Sequence, residues 1–91
     1  PAITRDVSLA VKKDVPYQEI RDIARERGGD ILKDIMFVEL YLGEKIPPGT
    51  RGLVFSLIYR SETRTLTEDE VNQVHQSILQ ALTTRLDAVI R

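Results

Sequence analysis

Basic side chains are concentrated in two separate stretches of this sequence. Residues 1–13 contain three basic residues and one acidic residue, and so do residues 51–64, which gives each stretch a side-chain charge of +2. Arginine can bind phosphate oxygens through two parallel hydrogen bonds, and lysine supplies a mobile point charge. The candidates for contacts with the phosphates and sugars of a nucleic acid are Arg5, Lys12, Arg51, Arg60 and Arg64.

Three more residues are candidates for contacts with RNA. Ser8 and Ser56 place hydroxyl groups near the middle of predicted strands, where they could bond ribose or phosphate, and Tyr41 offers a ring on which an unpaired base could stack. Each has a structural alternative: small residues are tolerated on a half-exposed sheet, and Tyr41 could pack against the sheet. Arg64 has an alternative too, because it could pair with an acid of the helical turn that follows it.

Residues for catalysis or metal binding are scarce. The chain has no Cys, and His75 is its only histidine, without neighbouring ligands at metal spacing. The acids Glu68, Asp69 and Glu70 fall in a predicted first helical turn, where they complement the helix dipole. No glycine-rich phosphate loop is present. The sequence therefore predicts no catalytic residue, no metal site and no cofactor in this domain.

The elements that must position these side chains follow from periodicity and turn residues. Alternation of apolar residues predicts strands, whereas a 3.6-residue stripe predicts helices. Gly28-Gly29 should end the first helix, Pro48-Gly49 suits a type II turn, and Thr67 with Glu70 forms a T-x-x-E capping box. The expected order is a strand over 5–12, a helix from Pro16 to Gly28, strands over 31–42 and 51–60, a helix from Thr67, and a short strand within 86–91.

This order, β-α-β-β-α-β, predicts a ferredoxin-like α+β fold. Two helices should cover one face of a four-stranded antiparallel sheet, leaving the other face open. The first and third strands should be central neighbours. The two basic stretches would then meet, and we expect the open side to be locally basic although the chain has a net charge of −1.

Size and composition indicate one domain over residues 1–91. A chain of this length can bury roughly 60 to 65% of its unfolded surface, and no apolar run approaches the about 20 residues needed to span a bilayer. The lack of Cys indicates an intracellular protein, or at least one that is indifferent to its redox compartment. Because the sequence opens on Pro1, without an initiator Met, and closes on the strand-like LDAVIR, we expect it to be a piece cut from a longer polypeptide.

Several motifs in order resemble one known family. They are RDVSLAV near the start, FVELYLGEKIPPGTRGLVFSLIYR in the middle, RTLTEDEV before the second helix, and the closing LDAVIR. The most specific part is the spaced set Tyr41, Gly43, Pro47, Gly49 and Leu53, followed by the run from Arg64 to Val71. Over nearly its full length the chain resembles the ferredoxin-fold anticodon-binding domain of bacterial-type phenylalanyl-tRNA synthetase β subunits.

The resemblance implies a role in holding tRNA. It implies that the domain supports the anticodon stem-loop of phenylalanine tRNA within an (αβ)2 enzyme, beside the rest of the β subunit and the α subunit. ATP and magnesium would serve the full enzyme, whose active site lies in the other subunit. Two alternatives stay open: a structural docking module of the synthetase, and a regulatory module that binds a small molecule, like the ACT domains. An acylphosphatase-like enzyme is disfavoured, because the turn KKDVPY lacks the glycine, Arg and Asn that such an anion site would use.

Overall fold

The computed structural model describes all 91 residues, and its elements follow the predicted order. The strands and helices are β1 (Ile3–Lys12), α1 (Tyr17–Gly28), a single 3-10 turn (Gly29–Ile31), β2 (Leu32–Tyr41), β3 (Thr50–Tyr59), α2 (Glu68–Leu86) and β4 (Val89–Ile90). No helix is both long and apolar enough to cross a membrane.

The sheet has the strand order β2-β3-β1-β4, and all of its neighbouring strands are antiparallel. β1 and β3 form its centre and pair along their whole length, from Ile3 opposite Tyr59 to Lys12 opposite Thr50. Helices α1 and α2 pack on each other and cover one face of the sheet. The predicted ferredoxin-like α+β fold is confirmed.

Helix α1 begins directly after Pro16, whose extended backbone makes it the residue before the first turn rather than part of it. Its buried stripe is Ile20, Ile23 and Ala24, at the spacing that turns one helical face toward the core. Gly29 ends the helix with φ of 62°, a left-handed value that glycine reaches without steric cost. The predicted stop at this glycine pair is confirmed.

Helix α2 begins with the predicted capping box. The backbone N–H of Glu70 donates to Thr67 Oγ1 at 3.2 Å, and the backbone N–H of Thr67 donates to Glu70 Oε2 at 2.9 Å. A cap of this kind stabilises a helix by about 1 kcal/mol. The helix continues through Leu86, which is buried, before Asp87 turns into the left-handed region. The last strand is therefore shorter than the predicted segment, because Leu86 gains burial as part of α2.

The link between β2 and β3 contains the predicted type II turn. The N–H of Thr50 donates to the carbonyl of Pro47 at 3.2 Å, which closes the turn. Gly49, at the third position, has φ of 80°. Pro48 fixes the preceding φ, and only a residue without a side chain adopts the next conformation cheaply.

The core is a single cluster of 20 buried residues between the sheet and the helices. β1 and β3 contribute apolar residues at odd-numbered positions, among them Val7, Leu9, Phe55, Leu57 and Tyr59. Side chains alternate between the two faces of a strand. The even-numbered residues of β1 and β3 therefore face away from the helices, on what we call the open face.

Candidate nucleic-acid interface

The open face is a polar surface built on β1 and β3. Asp6 lies opposite Ser56, and Ser8 lies opposite Val54, in the register of the two strands. On β2, Glu39 pairs with Val54 and Tyr41 pairs with Gly52, so both belong to the same face. The even-numbered residues of the two central strands are Thr4, Asp6, Ser8, Ala10, Lys12, Thr50, Gly52, Val54, Ser56 and Ile58.

The ring of Tyr41 packs directly on the sheet at Gly52, which has no side chain to keep it away. A Cβ at Gly52 would lie 2.2 Å from the ring carbons of Tyr41, so the ring rests directly on the backbone of β3. The Tyr41 hydroxyl is 3.3 Å from Ser8 Oγ on β1. The aromatic ring thus crosses β3 from β2 toward β1, half-buried and anchored at both ends, on the part of the open face nearer Lys12. The packing alternative for Tyr41 is confirmed, and it orients the ring as a fixed platform.

Ser56 is held by an acid on the neighbouring strand. Its Oγ donates to Asp6 Oδ1 at 2.6 Å, and the residue is only 9% exposed. The hydroxyl proton of Ser56 is therefore committed within the sheet, whereas the exposed carboxylate of Asp6 adds negative charge to the open face. These two residues order the middle of the face and disfavour a phosphate there.

Lys12 and Arg60 are the two candidates whose side chains are most available. Lys12 Nζ lies 3.7 Å from Asp87 Oδ2, and both side chains are largely exposed, so the pair is weak and easily exchanged for another anion. Arg60 follows β3 and is exposed, and its side chain makes no hydrogen bond or ion pair within the chain. Both can reach a phosphate without breaking a contact that holds the fold.

Arg5 and Arg51 lie on the helix side of the sheet rather than on the open face. Arg5 Nη2 donates to Asn72 Oδ1 of α2 at 3.0 Å, and Arg51 Nη2 donates to the carbonyl of Val15, before α1, at 2.6 Å. Both have odd numbers, and odd positions of β1 and β3 turn toward the helices. The expectation of one basic open side is wrong for this reason.

Arg64 pairs with an acid of the helical turn that follows it, which is the alternative that the sequence left open. Its Nη1 forms an ion pair with Glu70 Oε1 at 2.5 Å, beside the capping box. The backbone N–H of Thr67 is the main cause that lowers the pKa of Glu70, and the hydrogen bond from Arg64 adds to it. Arg64 thus stabilises the acid that caps α2, and its side chain remains half-exposed at the end of the sheet where β3 finishes.

The basic residues occupy opposite ends of the sheet. Lys12 pairs with Thr50 in the register, next to Arg51, whereas Arg5 pairs with Leu57 near the other end, which Arg60 follows. A strand rises about 3.3 Å per residue, so ten residues separate the two ends by roughly 30 Å. Between them lie the tyrosine platform and the Asp6–Ser56 pair. A linear, multiply charged ligand could contact both ends while crossing the centre.

A partly buried polar cluster on the helix side, Tyr59 with His75, was not predicted from the sequence. The Tyr59 hydroxyl lies 3.0 Å from His75 Nδ1 of α2. Burial raises the pKa of Tyr59 to about 12, and burial, followed by the nearby Arg5 charge, lowers the pKa of His75. No group of three or more His, Cys, Asp or Glu side chains is placed to hold a metal ion. The cluster is part of the packing between β3 and α2.

Comparison with known families bears on this arrangement. The family described as ferredoxin-fold anticodon binding domain matches residues 1–91, the whole sequence. The chain belongs to this family. The tyrosine platform and the two basic ends therefore belong to a domain of the anticodon-binding family.

The relatives of this anticodon-binding domain are much longer proteins. The phenylalanine–tRNA ligase beta subunit of Clostridium tetani is 42% identical over 91 residues, which is all of this chain and 12% of that protein. The corresponding subunit of Bacillus cereus is 37% identical over 91 residues, 11% of its length. That of Symbiobacterium thermophilum is 39% identical over 82 residues, 90% of this chain and 9% of that protein. The predicted resemblance is confirmed, and the chain spans about a ninth of the relatives that it matches.

Proposed function

We propose that this domain binds the anticodon stem-loop of phenylalanine tRNA as part of a phenylalanine–tRNA ligase β subunit. The observation that carries the proposal is the anchored ring of Tyr41 on a polar face in a domain of the anticodon-binding family. Proteins recognise RNA loops largely by stacking unpaired bases on aromatic side chains. A ring that is already fixed loses little conformational freedom when a base stacks on it.

The backbone of the stem-loop would be held at the two ends of the sheet. Lys12 at one end and Arg60 at the other are the proposed principal phosphate contacts, because neither has to leave a structural partner that matters to the fold. Arg64 can contribute by sharing its guanidinium between Glu70 and a phosphate, since arginine has five donors. In this proposal Arg5, Arg51 and Ser56 stabilise the domain through their hydrogen bonds to Asn72, Val15 and Asp6. Ser8 holds the hydroxyl group of Tyr41.

In this proposal the domain positions tRNA and performs no bond-making step. Aminoacylation with phenylalanine, ATP and magnesium would take place in the other subunit of a cytoplasmic (αβ)2 enzyme. The domain's own surface supports the positioning role, because it offers contacts for stacking and phosphate binding. An ACT-like regulatory role has no comparable support, because the whole sequence falls within the anticodon-binding family.

The test is amide chemical-shift mapping of the labelled domain with the anticodon stem-loop of phenylalanine tRNA. We expect shifts at Ser8, Lys12, Tyr41 and Gly52, and their loss as salt is raised, with a log-log slope of about −0.7 to −0.9 for each phosphate contacted. A stem-loop of the same stem with a base-paired, closed loop is the matched control, since it keeps the phosphates and removes the unpaired bases.

Any of three results would overturn the proposal. Shifts confined to α1 and α2 would place binding on the wrong side of the sheet. The absence of any shift at millimolar stem-loop would show that this surface has no affinity for the RNA. Equal binding of the closed-loop control would remove base stacking from the mechanism, and with it the role given to Tyr41.

A further inference from the structure

The second half of strand β2 forms an exposed apolar patch at the edge of the sheet. β2 lies at one end of the strand order, so only one of its sides is paired. Of the seven large apolar residues that the chain exposes, five fall within Met36–Leu42, each with 44% to 65% of its surface accessible. We call these five the β2 patch: Met36, Phe37, Val38, Leu40 and Leu42.

Arginine side chains close the first half of this edge but not the second. Arg21 Nη1 donates to the carbonyl of Ile35 at 2.9 Å, and Arg25 Nη1 donates to the carbonyl of Leu32 at 3.2 Å. Proteins commonly protect exposed strand edges with charged side chains of this kind. No side chain donates to a carbonyl between Met36 and Leu42. The unprotected part of the edge is therefore the part that carries the patch.

The patch wraps around the strand instead of lying on one face. Phe37 pairs with Phe55 on the helix side, where its ring also meets that of Tyr17 at 5.5 Å, whereas Met36 pairs with Ser56 on the open face. A register shift at Val38 interrupts the regular ladder. Because such a bulge prevents a regular extra strand from continuing along the edge, the occupant must pack through apolar side chains.

Charge around the patch argues against RNA as the occupant. The stretch from Asp34 to Glu44 contains three acidic residues and no basic residue. Asp34 and Glu39 pair with Ile58 and Val54, so these two acids lie on the open-face side of β2. They would repel phosphate and attract a basic rim. An apolar protein surface edged by Lys or Arg fits this stretch.

Size argues for a neighbour on the same polypeptide. A stable interface between separate proteins uses about 20 to 30 residues on each side, whereas the patch supplies five. A covalently linked neighbour needs less, because tethering gives an effective concentration of about a millimolar. The matched relatives are roughly nine times longer than this chain, so their corresponding region has such neighbours. We propose that the β2 patch docks on an apolar, basic-rimmed surface of another domain of the same synthetase subunit.

The test is hydrogen exchange followed by mass spectrometry in a full-length β subunit that contains this sequence, assembled with its α subunit and without tRNA. We expect peptides covering Met36–Leu42 to exchange about tenfold faster after Val38→Lys than in the parent, because local opening then exposes their amides. Thr84→Lys, at an exposed position of α2, is the matched control and should leave the exchange of these peptides unchanged.

A second variant distinguishes loss of docking from local unfolding of β2 caused by the substitution itself. Leu42→Lys changes the most exposed member of the patch, one residue beyond the strand, so no ladder hydrogen bond is at risk. If both variants exchange as the parent does, the docking proposal is overturned.

Two other outcomes would assign the patch to a different occupant and also overturn the proposal. One is a stable dimer of the 91-residue chain by sedimentation that Val38→Lys dissolves. The other is loss of stem-loop binding on Val38→Lys with unchanged exchange in the subunit. Since the exchange measurement contains no tRNA, its result is independent of whether the anticodon proposal holds.

Discussion

The two faces of the central strands use the same residue types for different purposes. On the open face, Lys12 has only a weak, exposed partner, and Tyr41 rests on bare backbone. Arg60, directly after β3, is exposed and has no side-chain partner. On the helix side, Arg5 is bonded to Asn72, and Tyr59 is buried against His75. Both faces have basic and aromatic side chains, but only one has them free to meet a ligand. The comparison teaches that strand parity, more than local charge density, decides which residues can bind.

Gly52→Ala should have the largest effect, because it introduces a Cβ where the Tyr41 ring now lies. We expect a loss of about 1–3 kcal/mol in the free energy of unfolding from overpacking, together with weaker stem-loop binding. Urea denaturation and the stem-loop titration measure the two effects. Gly43→Ala is the matched control, since no atom lies within 4 Å of the Cβ it would add. Equal stability of the two variants would mean that the tyrosine platform is not held as described.

Replacing one bonded arginine and one free arginine by alanine sharpens the comparison. Arg5→Ala should destabilise the domain by about 1 kcal/mol, because it removes a hydrogen bond to α2. Arg60→Ala should leave the unfolding free energy unchanged and reduce the salt slope of stem-loop binding by about 0.7 to 0.9. Denaturation and salt-dependent titration of both variants provide the check. A stability loss in Arg60→Ala as large as that in Arg5→Ala would erase the distinction.

Acidification should destabilise the domain through His75 on the helix side. Burial lowers the pKa of His75 in the folded state, so the unfolded state, with a histidine pKa of about 6.5, binds the proton first. Stability from this group is complete above pH 6.5 and is lost as the pH falls toward the lower folded pKa. Urea denaturation from pH 7.5 to 5 should show this slope. In His75→Asn the slope should shrink, and an unchanged slope would assign it to carboxylates instead.

The smallest effect is expected at high pH. Burial raises the pKa of Tyr59 to about 12, above its value of about 10 in an unfolded chain. The stability that this tyrosine contributes is therefore complete below pH 10 and is lost as the pH rises toward 12. Ultraviolet titration should resolve one late-ionising tyrosine, and Tyr59→Phe should remove it. Ionisation of all three tyrosines near pH 10 would contradict the described burial.

Local patterns in the sequence were sufficient for the fold. The alternation in β1 and β3, the stop at Gly29 and the capping box from Thr67 to Glu70 depend on neighbouring residues, and each is confirmed. The helix-side location of Arg5 and Arg51 could also have been predicted, because Arg5 has the parity of Val7 and Arg51 that of Leu53. A charge summed over a segment of a strand does not distinguish the residues of its two faces.

Other contacts could not be predicted from neighbouring residues in the sequence. The pairing of Tyr59 with His75, and the reach of Arg21 to Ile35, depend on how a helix sits over the sheet. Gly52 offered a partial signal, since a glycine within a strand often marks the close approach of another group. Its partner could not be identified, because the register between β2 and β3 depends on two irregularities within β2.

The β2–β3 hairpin also bears on the order in which this surface can assemble. Tyr41 and Gly52 face each other across a short link that contains a proline-restricted turn, whereas Ile3 must find Tyr59 from the other end of the domain. Closing a short loop has a smaller entropic cost than closing a long one, and local contacts form faster. The aromatic platform belongs to the part of the sheet that can form first, and Ser8 joins it only when β1 docks.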